Sequence, residues 1–144
     1  LEAQKENWDL LLDRAFGVKA NDDNIIDLET FENQTCVSID EVSAKYGDKS
    51  WAARTVYNER FGGVLIRQFP GQGNRLHYHP DADECWVILE GEWEWFIEGE
   101  GTRSVKKNDI VLVKKNIKHK ITCIGDQPGI RFAITKPDVN HVYE

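Results

Sequence analysis

The stretch HYHPDADECWVILEG, residues 77–91, places two histidines, an acidic turn, a glutamate and an apolar run next to one another. Successive side chains of a β-strand point to opposite faces, so His77 and His79 are predicted to share one face. Pro80 cannot donate a hydrogen bond to a sheet, and the aspartates after it favour a turn. The pattern therefore predicts that the chain reverses and that Glu84 opens the next strand, beside the histidine pair.

Short strands with turn signals between them continue over most of the chain from about residue 25. The predicted strands are 52–57, 64–69, 75–79, 85–90, 92–97, 102–105, 110–113, 119–124 and 130–135, and one helical turn is predicted at 40–45. Many short strands at regular spacing are typical of a β-sandwich or a small barrel. We therefore expect an all-β fold.

Two imidazoles and one carboxylate on adjacent strands form a natural metal site. If these groups were buried without a cation, they would bear a desolvation cost that nothing offsets. A metal ion removes that cost and ties the strands together. His119 is the best candidate for a fourth ligand, because it follows a predicted strand and turn that can bring it back into the barrel.

The N-terminal segment has helical periodicity instead. Its apolar residues over 2–16 recur at helical spacing, and Gly17 can end a helix. This predicts an amphipathic helix that packs on the barrel or forms a dimer contact. The organisation expected is an N-terminal helix and loop over 1–24, a barrel over 25–138 and a C-terminal tail over 139–144, in a single domain.

Composition and charge exclude several classes of partner. The 144 residues are 40% hydrophobic and 30% charged, with a formal net charge of -7. This acidic balance argues against nucleic acid as a partner, and the lack of a long apolar run predicts no membrane span. Three cysteines without CxxC spacing and the lack of a signal-peptide pattern favour the reducing cytoplasm.

The segment 71–91 resembles the first signature of the cupin superfamily. That signature has Gly, five residues, His, one residue, His, four residues, Glu, six residues and Gly; the corresponding residues here are Gly71, His77, His79, Glu84 and Gly91. Segment 108–119 is similar to the second signature, with its histidine at position 119. Asn108, Lys114 and Asn116 stand where the family has Gly, Pro and Gly. Asparagine tolerates the left-handed conformation, whereas Lys114 lacks the rigid turn of proline.

The resemblance implies a jelly-roll barrel in which His77, His79, Glu84 and His119 hold one divalent metal ion. Four protein ligands leave two open positions in an octahedral site, for water, a bidentate substrate or dioxygen. Mixed imidazole and carboxylate ligands suit iron, manganese, nickel, zinc or copper. Single-barrel members of the superfamily commonly pair, so we also expect a homodimer.

Candidate catalytic residues outside the ligand set are Arg67, Arg131 and Tyr57. Each arginine lies in an apolar strand, where it is predicted either to bind an anionic substrate group from inside the barrel or to lie outward. Tyr57 is a candidate for proton transfer. His141 lies near the end of the sequence and is expected to be solvent-exposed.

Three functions fit this pattern. The preferred one is a metal-dependent isomerase or epimerase of the sugar or sugar-phosphate type, in which the ion polarises a carbonyl or hydroxyl of the substrate. The alternatives are an iron-dependent dioxygenase that uses both open positions, and a non-catalytic protein that binds a small ligand. In each case the expected partner is a small polar molecule, and the two arginines favour an anionic one.

Overall fold

The computed structural model describes Leu12, Ala15 and residues 29–144. Within residues 29–144, one helix precedes a series of strands. They are α1 Ile39–Tyr46, β1 Trp51–Tyr57, β2 Gly62–Gln68, β3 Gly73–Tyr78, β4 Glu84–Glu90, β5 Glu92–Ile97, β6 Gly101–Lys106, β7 Ile110–Val113, β8 His119–Ile124, β9 Gly129–Thr135 and β10 Val142–Tyr143. Each predicted strand is present with small differences at its ends, and β10 lies in the segment predicted as a tail.

The strands form two antiparallel sheets that face each other. One sheet has the order β1-β2-β9-β4-β7 and the other has the order β10-β3-β8-β5-β6. Strands β3 and β4 follow each other in the chain but belong to different sheets, as do β4 and β5. This exchange between sheets is characteristic of a jelly roll, and it confirms the predicted all-β jelly-roll barrel.

Alternating side chains of the strands fill the space between the sheets. On β4, Trp86 and Ile88 are buried in this interior cluster, and on β5 Trp93 and Trp95 are buried there too. The Trp86 and Trp95 rings meet edge to face, with centroids 5.5 Å apart. The tryptophans therefore form much of the apolar interior between the two sheets.

A second apolar layer covers the outer face of β1 and β2. Val42 of α1 packs in this layer with Trp51 and Leu65, and Ser38 caps the helix by accepting a hydrogen bond from the Asp40 amide at 3.1 Å. Because both faces of these strands are covered, their apolar residues are buried in continuous runs instead of alternating.

The predicted N-terminal helix and loop lie mostly outside the described residues. Leu12 and Ala15 are helical and completely buried against the interior cluster. Arg54 of β1 donates a hydrogen bond to the Ala15 carbonyl at 3.5 Å. Among the described residues, no helix has both the length and the apolar character needed to cross a bilayer.

Candidate metal centre

The four predicted ligands come from both sheets. His77 of β3 lies directly opposite His119 of β8 in the strand register, and His79 directly follows β3. Glu84 begins β4, which is in the other sheet. The expectation that Glu84 lies on a strand adjacent to the histidine pair is therefore wrong. The turn after His79 carries the chain across the barrel, so the carboxylate faces the imidazoles from the opposite wall.

These side chains converge on one small buried volume. The ring centroids of His77 and His119 are 4.2 Å apart, and those of His77 and His79 are 5.0 Å apart. The Glu84 Oε1 atom lies 3.2 Å from His79 Nε2 and 3.9 Å from His119 Nε2. All four residues are at most 2% exposed.

Backbone carbonyls orient all three imidazoles. The Nδ1 atoms of His77, His79 and His119 lie 2.7, 2.9 and 3.0 Å from the carbonyl oxygens of Arg75, Asn140 and Ile117. A carbonyl oxygen can only accept, so each Nδ1 carries the hydrogen. The Nε2 atoms are therefore the nitrogens left to coordinate an ion, and such carbonyl partners are typical of metal-binding histidines.

Burial and charge set the protonation of the ligands. Burial lowers the pKa of His119 to about 4, and it also lowers the pKa of His77 well below its ordinary value, so both rings are neutral at pH 7. Burial by itself would raise the pKa of Glu84, but the hydrogen bond from His79 outweighs it and lowers that pKa. Burial opposes protonation of His79 as well, but its hydrogen bond with Glu84 prevails and raises the His79 pKa.

The residues present fit a divalent ion. Glu84 Oε2 and His119 Nε2 are buried and have no hydrogen-bond partner among the described residues. Each buried polar atom left without a partner costs about 1–3 kcal/mol. Neutral imidazole nitrogens and a carboxylate are the donors that such an ion requires, so coordination would satisfy the atoms that the protein leaves unsatisfied.

The departures from the second signature preserve the placement of His119. Asn108 and Asn116 adopt φ angles of 80° and 67°, in the left-handed region that the family's glycines favour. At the position of the family's proline, the Lys114 carbonyl accepts a hydrogen bond from the Ile117 amide at 3.2 Å, which closes the turn. The Asn116 amide also donates to the His79 carbonyl at 2.8 Å, so this turn is tied to the first signature.

Arg131 lies inside the barrel and is completely buried. Its Nη2 atom donates to Gln68 Oε1 at 3.0 Å and to Asn74 Oδ1 at 2.7 Å. The guanidinium carbon lies 4.5 Å from the ring centroid of Trp86 and 5.1 Å from that of Trp93. Of the two orientations considered for this arginine, the structure has the inward one.

Arg67 and Tyr57, unlike Arg131, are not completely buried. Arg67 is paired in register with Trp51 of the outer layer and donates to the Lys49 carbonyl at 2.9 Å, so it lies on the outer face of its sheet. Tyr57 is partly exposed at the end of β1, and its hydroxyl donates to Asp138 at 2.7 Å. The structure brings Arg131, but not Arg67, into the interior that contains the proposed ligands.

His141 is a residue of the site that the sequence pattern did not reveal. Its ring centroid is 4.5 Å from that of His79 and 5.4 Å from that of His77. The expectation that it is solvent-exposed is wrong, since it is only partly exposed. Strand β10, which follows it immediately, pairs with β3 and brings the end of the described chain to the site. A two-residue strand carries too little periodicity to be predicted.

A surface groove of about 380 Å³ also lies near strands β6 and β7, which form edges of the two sheets. It is lined in part by Glu100, Arg103 and Ile110, and none of the proposed ligands lines it. The groove is open and its lining shows no convergent imidazole groups. The buried ligand cluster is therefore the better candidate for chemistry.

The fold and the ligand arrangement define a cupin. The chain belongs to the cupin domain family, which matches residues 64–135, half of its length. Its fold is similar to that of an uncharacterized conserved protein with a double-stranded β-helix domain from Klebsiella pneumoniae subsp. pneumoniae MGH 78578. The TM-score is 0.64 at 20% identity, and the similarity covers 77% of this chain and 99% of that one.

Two curated relatives share part of the sequence. The uncharacterized protein YdbB of Bacillus subtilis (strain 168) is 39% identical over 57 residues, which cover 40% of this chain and 50% of YdbB. The polyketide synthase CurC of Streptomyces cyaneus is 28% identical over 87 residues, which cover 57% of this chain and 55% of CurC. The chain thus spans about half the length of the curated relatives it matches.

Proposed function

We propose that this cupin is a metal-dependent enzyme that acts on a small, polar, anionic molecule by non-oxidative chemistry of the sugar or sugar-phosphate isomerase and epimerase type. The observation that carries the metal assignment is the convergence of three carbonyl-oriented imidazoles and Glu84 in a buried volume. His77, His79, Glu84 and His119 are the proposed ligands. The proposed ion is one of iron, manganese, nickel, zinc or copper.

A divalent ion at this position would supply Lewis acidity to a carbonyl or hydroxyl oxygen of the substrate. The chain itself contributes orientation and exclusion of water. The carbonyl partners hold the imidazoles in one tautomer, and the burial of all four proposed ligands excludes water from them. Electrostatic interactions are stronger in such surroundings than in water.

Arg131 supports the choice of an anionic substrate. Burial lowers its pKa to about 9, so the guanidinium still carries its charge at pH 7. Its Nε and Nη1 atoms are buried without a hydrogen-bond partner among the described residues. A carboxylate or phosphate group would satisfy these donors and offset the buried charge. The catalytic roles of Tyr57 and Arg67, the homodimer and the cytoplasmic location stay predictions of the sequence.

We expect turnover to depend on the metal but not on oxygen. The apoprotein would be loaded separately with each candidate metal and assayed with a panel of sugars and sugar phosphates, under nitrogen and in air. Equal metal-dependent turnover in both atmospheres is the expected result. Substrate-dependent oxygen uptake by the iron form would instead identify a dioxygenase. Saturable binding of a panel member without turnover would identify a binding protein.

Replacement of Arg131 by alanine should destabilise the fold by about 2–4 kcal/mol. The substitution leaves a cavity beside Trp86 and removes the hydrogen bonds to Gln68 and Asn74. Urea denaturation measures the loss. Arg67→Ala is the matched control, and it should cost less than about 1 kcal/mol because that side chain is partly exposed on the outer face. Equal losses would contradict the structural role assigned to Arg131.

A further inference from the structure

The proposed metal centre has a further imidazole beside it, outside the ligand set that the two signatures provide. The possible ligand atoms of His77, His79 and His141 all lie within 4.8 Å of one another. Those of His79, Glu84 and His119 form a second such group. His79 belongs to both groups. We propose that His141 is a fifth protein ligand, so that both groups bind the same ion; this inference rests on the proposed function.

The separations suit a shared ion. Two donor atoms that each lie about 2.1 Å from one ion are at most about 4.2 Å apart, so each group closes on the ion with side-chain movements of less than about 1 Å. The His141 ring meets the His79 ring edge to face, with an interplanar angle of 82°. It stacks on the His77 ring at 29°. His141 thus lies against two of the four proposed ligands.

Hydrogen bonds on both sides of His141 hold its segment in place. The Asn140 carbonyl accepts the hydrogen of His79 Nδ1 at 2.9 Å, and the Asn140 side chain donates to Asp81 at 3.1 Å. After His141, strand β10 pairs with β3, and the Glu144 amide donates to the Leu76 carbonyl at 3.2 Å. The ring is therefore presented from a segment that is anchored on both sides, which reduces the entropy lost when it coordinates.

A fifth ligand changes what the centre can bind. An octahedral ion with five protein donors keeps one open position instead of two. His141 is partly exposed, whereas the other four ligands are buried, so it occupies the solvent side of the centre. A substrate would then coordinate through one oxygen atom. This also argues against simultaneous binding of a substrate and dioxygen to the ion.

The test uses Co²⁺ alone as the probe, so that no substrate is needed. Wild type, His141→Ala, His141→Gln and Val142→Ala would be titrated with Co²⁺, and coordinated imidazoles would be counted by X-ray absorption. We expect four imidazoles in wild type and three in both His141 variants, with an affinity about 10–100-fold lower. Val142 is the next residue in the chain, begins β10 and has an exposed side chain, so Val142→Ala should match wild type in both measurements.

The possible failures are distinguishable. Three imidazoles in wild type would overturn the role of His141 and leave the proposed function intact, and this measurement needs no variant to fold. Unchanged affinity and imidazole count in folded His141→Ala would overturn it equally. If wild type binds neither Co²⁺ nor any of the candidate metals, the proposed function itself fails, and the inference fails with it.

Discussion

Glu84→Gln is expected to lower the affinity of the apoprotein for divalent cations by at least about 100-fold, the largest effect foreseen at the site. Glu84 is the only carboxylate among the proposed ligands, and it is almost completely buried. The amide keeps the size of the side chain but removes the negative charge that offsets the charge of the ion. Titration calorimetry with Co²⁺ or Mn²⁺ measures the change.

A charge-matched control separates this local effect from net charge. Glu94 lies on β5 with its side chain exposed, so Glu94→Gln removes the same charge at a distance from the centre and should leave affinity unchanged. Circular dichroism of the apoproteins checks that both variants are folded. Wild-type affinity in folded Glu84→Gln would show that the carboxylate is not a ligand, and it would overturn the proposed set of four ligands.

Strand periodicity accounts for part of the proposed ligand arrangement because that information is local. The two-residue period of a strand is enough to place His77 and His79 on one face, and it also places Glu84 with Trp86. The sheet to which each strand belongs is a property of tertiary pairing, which the period does not contain. For that reason Glu84 was expected beside the histidines, although it faces them across the barrel. The contact of His141 with the site depends likewise on the pairing of β10 with β3.

The two arginines show a second reason why the sequence alone did not determine which side chains point into the barrel. Arg67 and Arg131 both lie in strands whose apolar residues continue on both faces. Such strands occur where an additional layer covers the outer face, as the layer containing α1 does here. Alternation then no longer identifies the interior, so an arginine in either strand could be predicted to point inward. Because α1 packs against Leu65, the face that Leu65 shares with Arg67 is the outer face of the sheet. Only the structure shows that packing.

Gly91→Ala is expected to destabilise the fold by about 3 kcal/mol or more, considerably above the cost of Gly71→Ala. Both glycines belong to the first signature, and both have positive φ angles, 79° for Gly91 and 92° for Gly71. Alanine in the left-handed region costs about 1–2 kcal/mol at either position. Their surroundings differ, however, because a Cβ atom on Gly71 would meet nothing within 4 Å.

At Gly91 a Cβ atom would lie 2.6 Å from the Gly129 Cα atom, so backbone would have to move. Gly91 is the single residue between β4 and β5, which lie in opposite sheets. Any movement there therefore shifts the strand that carries Glu84 relative to the strand that carries Trp95. Urea denaturation of the two variants measures the difference directly. If Gly71→Ala and Gly91→Ala cost the same, backbone strain alone explains both glycines, and the close approach of Gly129 has no part in fixing how the two sheets meet.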